Sequence, residues 1–224
     1  MTSLGMTPRI LTRNHALTAR DARIFHLLTR KVPLATAGQL ARAFWPPSDS
    51  AVALARQRLK TLISAGIVET YLVRAHSELP LYQPLLSWTP GDPLPVFGRL
   101  SYRLRTRLTE AFKPIQVFTG SESLGRRVAG RGGCLKHPLH ATHDLHLTTV
   151  YLHKLKWNPV EASAWVSDAI LAPLRRGQKL PDAEIQDQNG RTIKVIELGG
   201  TYPPERLRRV HEDCERRQVP YELW

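Results

Sequence analysis

Cysteine is almost missing from this chain: Cys134 and Cys214 are the only two in 224 residues. Two thiols so far apart build neither a disulfide framework nor the paired ligands of a zinc module, and a reducing cytoplasm is the expected setting. Long apolar runs are missing too. No stretch approaches the roughly 18 apolar residues of a membrane span, and the first 30 residues hold no run of signal-peptide length, so no membrane partner is expected. There is no internal repeat and no low-complexity segment. Acidic residues are scarce, 19 Asp/Glu against 32 Lys/Arg, for a formal net charge of +13.

That excess is unevenly placed. Residues 1–90 hold 11 Lys/Arg against 4 Asp/Glu, residues 91–136 hold 9 against 3, and residues 137–224 hold 12 against 12. A basic half joined to a neutral half is the pattern of a polyanion-binding module fused to something else, and the phosphate backbone of double-stranded DNA is the obvious polyanion. The division suggests a DNA-binding domain over 1–90, a basic connector over 91–136 and a second domain over 137–224.

In the first part, Thr18 caps a helix whose Ile24, Leu27, Leu28 and Val32 face a core, with Asp21 at its positive end. A second helix runs from Thr36 through Leu40 to Phe44 and stops at Pro46-Pro47. Ser48-Asp49-Ser50 offers an N-cap for a third, whose Val52, Ala55, Leu59 and Leu62 recur at helical spacing until Gly66. The alternation over Ile67–Val73 reads as a strand, and Leu81–Leu86 as its partner across the loop 74–80, making a β-wing. The whole reads as a winged helix-turn-helix. In such a module the outer face of the third helix enters the major groove, which nominates Ser50, Arg56, Gln57, Arg58 and Lys60, with Arg74 and His76 at the wing tip.

The connector opens on a Pro- and Gly-rich stretch, 88–98, expected to act as a hinge. A helix over Leu100–Phe112 places Arg99, Arg103 and Arg107 on one side, so Arg103 and Arg107 join the DNA-contact set. Gly125–Gly133 reads as a flexible basic loop, and it lacks the GxxxxGK[ST] pattern of a nucleotide-binding loop.

The last part carries the chemistry. His137, His140, His143, His146 and His153 crowd together, but steps of three give a drifting helical stripe rather than the i, i+4 pairing of zinc ligands, and no metal site is expected from them. A helix over 139–155 precedes a strand over Ala162–Ser167. Then Leu180-Pro181-Asp182-Ala183-Glu184-Ile185 and Ile193-Lys194-Val195-Ile196-Glu197-Leu198-Gly199 flank an Asn189-Gly190 turn. A helix over 205–217 and a strand over Val219–Trp224 follow. Asp182 and Glu197 on antiparallel strands can converge on one divalent cation, and Asp144 can be aimed at them. Two residues past Glu197, on the same face, a nuclease would carry a Lys to activate water. Here that position is Gly199, and Lys194, three residues before Glu197, falls on the opposite face.

The order αβββαβ is the core topology of PD-(D/E)xK nucleases. Together with Leu17-Thr18-Ala19-Arg20-Asp21, His143-Asp144, Trp165-Val166-Ser167-Asp168, Leu180-Pro181-Asp182-Ala183 and Ile196-Glu197-Leu198-Gly199-Gly200-Thr201, it resembles the replication-relaxation family of bacterial mobile elements. The resemblance covers roughly 17–90 and 137–224. It implies an α+β chain with a winged helix-turn-helix and a PD-(D/E)xK-like domain, associated with plasmid replication, DNA relaxation and mobilisation. The family usually shows a second acid two residues after the Glu, where this chain has Gly199. The leading expectation is a non-catalytic, sequence-selective DNA-binding protein acting in replication, transfer or transcription regulation, with no cofactor. A metal-dependent nuclease with Asp144, Asp182 and Glu197 on Mg²⁺, and a cation migrated to Lys179 or Arg206, is the alternative. A third reading is an adaptor that recruits a relaxase, replication or transcription protein. A homodimer on a palindrome is compatible with all three, although no dimer helix stands out.

Overall fold

A computed structural model describes residues 16–132, 140–175 and 180–224. It is a mixed α+β structure with a two-stranded and a five-stranded sheet. The chain opens on α1 (Ala19–His26), which continues through a π-helical turn, Leu27–Lys31. Thr18 and Asp21 form a reciprocal capping box at its start, and Thr36 with Gln39 does the same for α2 (Ala37–Phe44). α3 (Ala51–Ser64) follows, ending at Gly66 with φ +67°. Ser50 precedes α3, as the sequence suggests, but its side chain caps no backbone N–H and instead meets Ser48 at 3.2 Å.

β1 (Val68–Ala75) is the first strand of the two-stranded sheet. Its partner is β3 (Lys113–Gly120), antiparallel over its whole length, and not the expected 81–86. The reason lies just past Ala75, where the chain is held against a later helix instead of turning back. The His76 N–H donates to Thr142 Oγ1 at 3.0 Å, and the Ser77 carbonyl meets His146 Nε2 at 2.8 Å. The segment read as the wing's second strand ends in β2 (Leu86–Trp88), which pairs with β7 (Tyr221–Leu223) of the large sheet and buries Trp88.

The described part of the expected connector, 91–132, also differs from a linker. α4 (Phe97–Arg105) packs on α9 (Pro204–Arg216), and Phe97, Leu100 and Leu104 share a core with Leu207, Val210 and Leu223. The helix ends at Arg105, short of the expected Phe112, as Thr106 Oγ1 turns back to the carbonyls of Tyr102 and Arg103. α5 (Glu122–Arg127) occupies the start of the glycine-rich stretch, where a Cβ at Gly130 would stand 2.6 Å from the Thr29 carbonyl oxygen. That glycine allows close backbone approach, where the sequence suggested looseness.

α6 (Ala141–Trp157) and α7 (Pro159–Ala164) lead into β4 (Trp165–Ser167), so Ala162 is helical and the strand shorter than expected. A short helix α8 (Asp168–Leu171) and a 3₁₀ turn precede the hairpin of β5 (Ala183–Gln186) and β6 (Thr192–Glu197). Gly190 takes φ +76° in its turn. The sheet order is β2-β7-β6-β5-β4, with β6 and β7 parallel across α9 and the other pairs antiparallel. No described helix is long and apolar enough to cross a membrane.

One core joins the first helices to α6 and the sheet: Leu28, Leu40 and Leu59 cluster with Leu147, Tyr151, Trp165 and Trp224. Buried polar contacts cross the same boundary. Lys31 Nζ donates to the carbonyls of Ser163 and Trp165 at 2.8 and 2.7 Å, and Gln39 Nε2 to that of Leu145 at 2.8 Å. Residues 1–90 made alone would lack β3 and leave those donors unmet. They are expected to show no cooperative thermal transition by circular dichroism, and a sharp melt would restore a domain boundary near residue 90.

Candidate functional site

Asp144 stands in the first turn of α6 with its side chain 8% exposed, and His143 beside it faces the hairpin. The register that sets Ala183 opposite Ile196 carries on to place Asp182 next to Glu197 at the open end of β5 and β6. His143 bridges the acids. Its Nδ1 lies 3.3 Å from Asp144 Oδ1 and its Nε2 3.1 Å from Asp182 Oδ1. The other Asp182 oxygen accepts the Leu198 N–H at 2.7 Å. Tyr202 adjoins this cluster: burial and the charges of Asp182 and Glu197 push its hydroxyl above the ordinary tyrosine range. Arg206 donates to that hydroxyl at 2.8 Å and lies 3.7 Å from the ring centroid.

The acids named from the sequence therefore do gather, but around an imidazolium. Burial alone would lower the His143 pKa; the charge of Asp182 and the bonds to Asp144 and Asp182 override it and raise it to about 10. A Mg²⁺ shared by Asp144 and Asp182 would meet this cation already in contact with both carboxylates. With the His143 ring standing between them, Asp144 and Asp182 as arranged leave no room for a shared divalent ion. The sign of the stability effect follows. A pKa raised in the folded state contributes stability that is fully present below the unfolded value of about 6.5 and is lost as pH rises toward 10. Thermal midpoints of the protein should fall between about pH 7 and 10, and those of His143→Gln should fall less. Parallel curves would remove His143 as the linking charge.

Gly199 has no room for a side chain. A Cβ there would stand 2.6 Å from both methyl carbons of Leu104 and 3.1 Å from one of Leu223. α4 fills the space into which any side chain at this position would project. Beyond α4, Arg107 Nη2 donates to the Gly199 carbonyl and to an oxygen of Trp224, the last residue of the sequence, both at 3.0 Å. Lys194 lies on the far face in a buried ion network: its Nζ is 2.9 Å from Glu222, which also pairs with Lys154 at 2.7 Å, while Glu161 contacts both lysines. Lys179 lies outside the described residues, as do His137 and Cys134.

The nominated DNA contacts separate into three groups. Arg56, Gln57 and Lys60 are exposed on α3, Ser50 is exposed before it, and Arg74 is exposed on β1 near Lys113 of β3. Arg58 is committed elsewhere. Its Nη2 and Nε meet the fully buried Asp21 carboxylate at 2.5 and 3.0 Å, and Nη2 also donates to the Ala16 carbonyl. Burial would raise the Asp21 pKa, but the Arg58 and Thr18 bonds hold it below the usual range. His76 is half-buried, its ring centroid 4.1 Å from that of Phe112, and with Arg107 it lines a pocket instead of a wing tip. Arg103 is exposed on α4. Lys113 and Tyr202 escaped the sequence reading because nothing local marks them. Comparison with protein-family models, with curated proteins and with solved structures gave no match for this chain.

Proposed function

We propose that this protein binds double-stranded DNA through α3 and the β1–β3 ribbon, and that its C-terminal αβββαβ part is a nuclease-like core without catalysis. The observation that carries the reading is the exposed Arg56, Gln57 and Lys60 on one helix that follows a short α2 and precedes an antiparallel ribbon bearing Arg74 and Lys113. That arrangement suits a winged helix, with Gln able to address adenine and Arg or Lys guanine or phosphate. The parallel β7 reached through α9 supports the nuclease-like reading of the second part. Loss of catalysis rests on two contacts: His143 between Asp144 and Asp182, and Leu104 against Gly199. Regulation or accessory work in the replication, transfer or transcription of a mobile element is the role that the resemblance adds.

The test is a paired assay on supercoiled and linear DNA, scored for binding and for cleavage with Mg²⁺, Mn²⁺ or EDTA. Salt-sensitive binding without cleavage is the expected result. Cleavage abolished by EDTA and by Glu197→Ala would overturn the non-catalytic reading. Binding that ignores ionic strength would favour the adaptor.

A further inference from the structure

A cavity of about 250 Å³ opens between α4 and its exit, the chain after β1, the start of α6 and residues 198–201. Its wall is chemically mixed. It carries Arg107, His143 and His146 with the backbone of Gly200 and the exposed Thr201, together with apolar Leu79, Leu108 and Phe112. Among the described residues no carboxylate lines it. Arg107 is the unusual member. It is half-buried, and burial together with the charge of Arg103 lowers its pKa to about 10, so it remains cationic at neutral pH. Its Nη2 donates to the Gly199 carbonyl and to an oxygen of Trp224, the last residue of the sequence, while its buried Nε has no partner among the described residues. A desolvated guanidinium is costly while a donor stays unmet, and an anion in the cavity would add acceptors beside it. His76 Nδ1, in the same wall, is likewise buried and unpartnered among those residues.

The apolar residues add a second signal. Phe112 is 51% exposed, yet its ring is held against that of His76, with 37° between the planes. A supported aromatic face beside a cationic recess is the pairing that receives a nucleobase and its phosphate. The volume lies below the roughly 300–1000 Å³ of sites that enclose drug-sized ligands, which suits a phosphate and sugar inside with the base on the rim.

We propose that this pocket binds a nucleoside monophosphate unit, with Arg107 and Thr201 receiving the phosphate and Phe112 stacking the base. The unit has two sources, a free mononucleotide or the phosphorylated end of a DNA strand. The proposal is independent of the reading of α3, whose basic residues line no part of the cavity.

The experiment uses the full chain and isothermal titration with thymidine 5′-monophosphate, thymidine and inorganic phosphate. Competition with a DNA hairpin carrying a 5′-phosphate or a 5′-hydroxyl end follows. The monophosphate should bind at least about tenfold tighter than either fragment. Phe112→Ala, at an exposed position, should weaken it by about fivefold or more, from the usual contribution of a stacked base. Arg107→Gln should weaken it at least tenfold and Arg107→Lys less, while Arg56→Ala with Lys60→Ala should leave it unchanged. Displacement by the phosphorylated hairpin alone identifies a strand end, and displacement by neither hairpin identifies a free nucleotide; both support the site. Equal binding of thymidine and its monophosphate, phosphate binding as tightly as the monophosphate, unchanged affinity in Phe112→Ala, or no binding at millimolar concentration each overturns the proposal.

Discussion

Replacing Arg56 and Lys60 together by alanine is expected to weaken DNA binding by about 10- to 100-fold while leaving the thermal midpoint within about 1 °C. Both side chains are exposed on α3 and make no ion pair among the described residues, so their removal subtracts contacts to DNA without disturbing the fold. If both hold phosphates, the slope of log affinity against log salt should shrink by about two. Arg58→Ala provides the contrast. It leaves the Asp21 carboxylate, 0% exposed, without its guanidinium, and Arg58 itself is only 23% exposed. The expected loss is on the order of 3 kcal/mol of stability, or about 6–12 °C in a chain of this size, with the affinity of the folded fraction little changed. Fluorescence anisotropy across a salt series, beside thermal melts of each variant, separates the two effects. A double variant that binds as the parent does would take α3 out of the interface.

The second large effect is at Gly199. Gly199→Lys should lower stability by at least about 2 kcal/mol, because its Cβ alone would overlap both Leu104 methyl carbons at 2.6 Å. Leu104 is 1% exposed, so Leu104→Ala by itself should cost about 2–5 kcal/mol through the cavity it leaves. Combined, the two changes should cost less than their sum by at least about 1 kcal/mol, since each relieves what the other creates. Chemical denaturation of the four proteins gives the cycle directly. Additive losses would mean that α4 yields easily and that Leu104 does not bar the lysine. The double variant also tests the site next to it. Its failure to cut DNA with Mg²⁺ is expected, because His143 would still occupy the space between Asp144 and Asp182.

Much of the local architecture was legible. The caps at Thr18 and Thr36, the stops at Gly66 and Gly190, and the helix starting at Pro204 each depend on neighbours a few residues away, and the structure has them there. Strand alternation also placed Asp182 and Glu197 together and sent Lys194 to the other face. The pairing of β1 was not legible, because its partner β3 lies beyond β2 and α4, and no turn signal reaches so far. The same limit hid the different fates of Arg56 and Arg58. Helical periodicity put both at the flanks of α3, and only the approach of α1 made one of them the partner of Asp21.

The sequence by itself determined where several helices begin and end, which faces are apolar, which acids can meet and that a glycine follows Glu197 by two residues. These follow from periods of two and 3.6 and from the fixed chemistry of Gly, Pro and capping side chains. Only the tertiary structure decided what stands against that glycine, what charge lies between Asp144 and Asp182, and which cations are left for a ligand. Those outcomes depend on side chains distant in the chain, Leu104 against Gly199 and Lys31 against Trp165. Close packing and the need to satisfy buried polar groups select them only once the whole chain has closed.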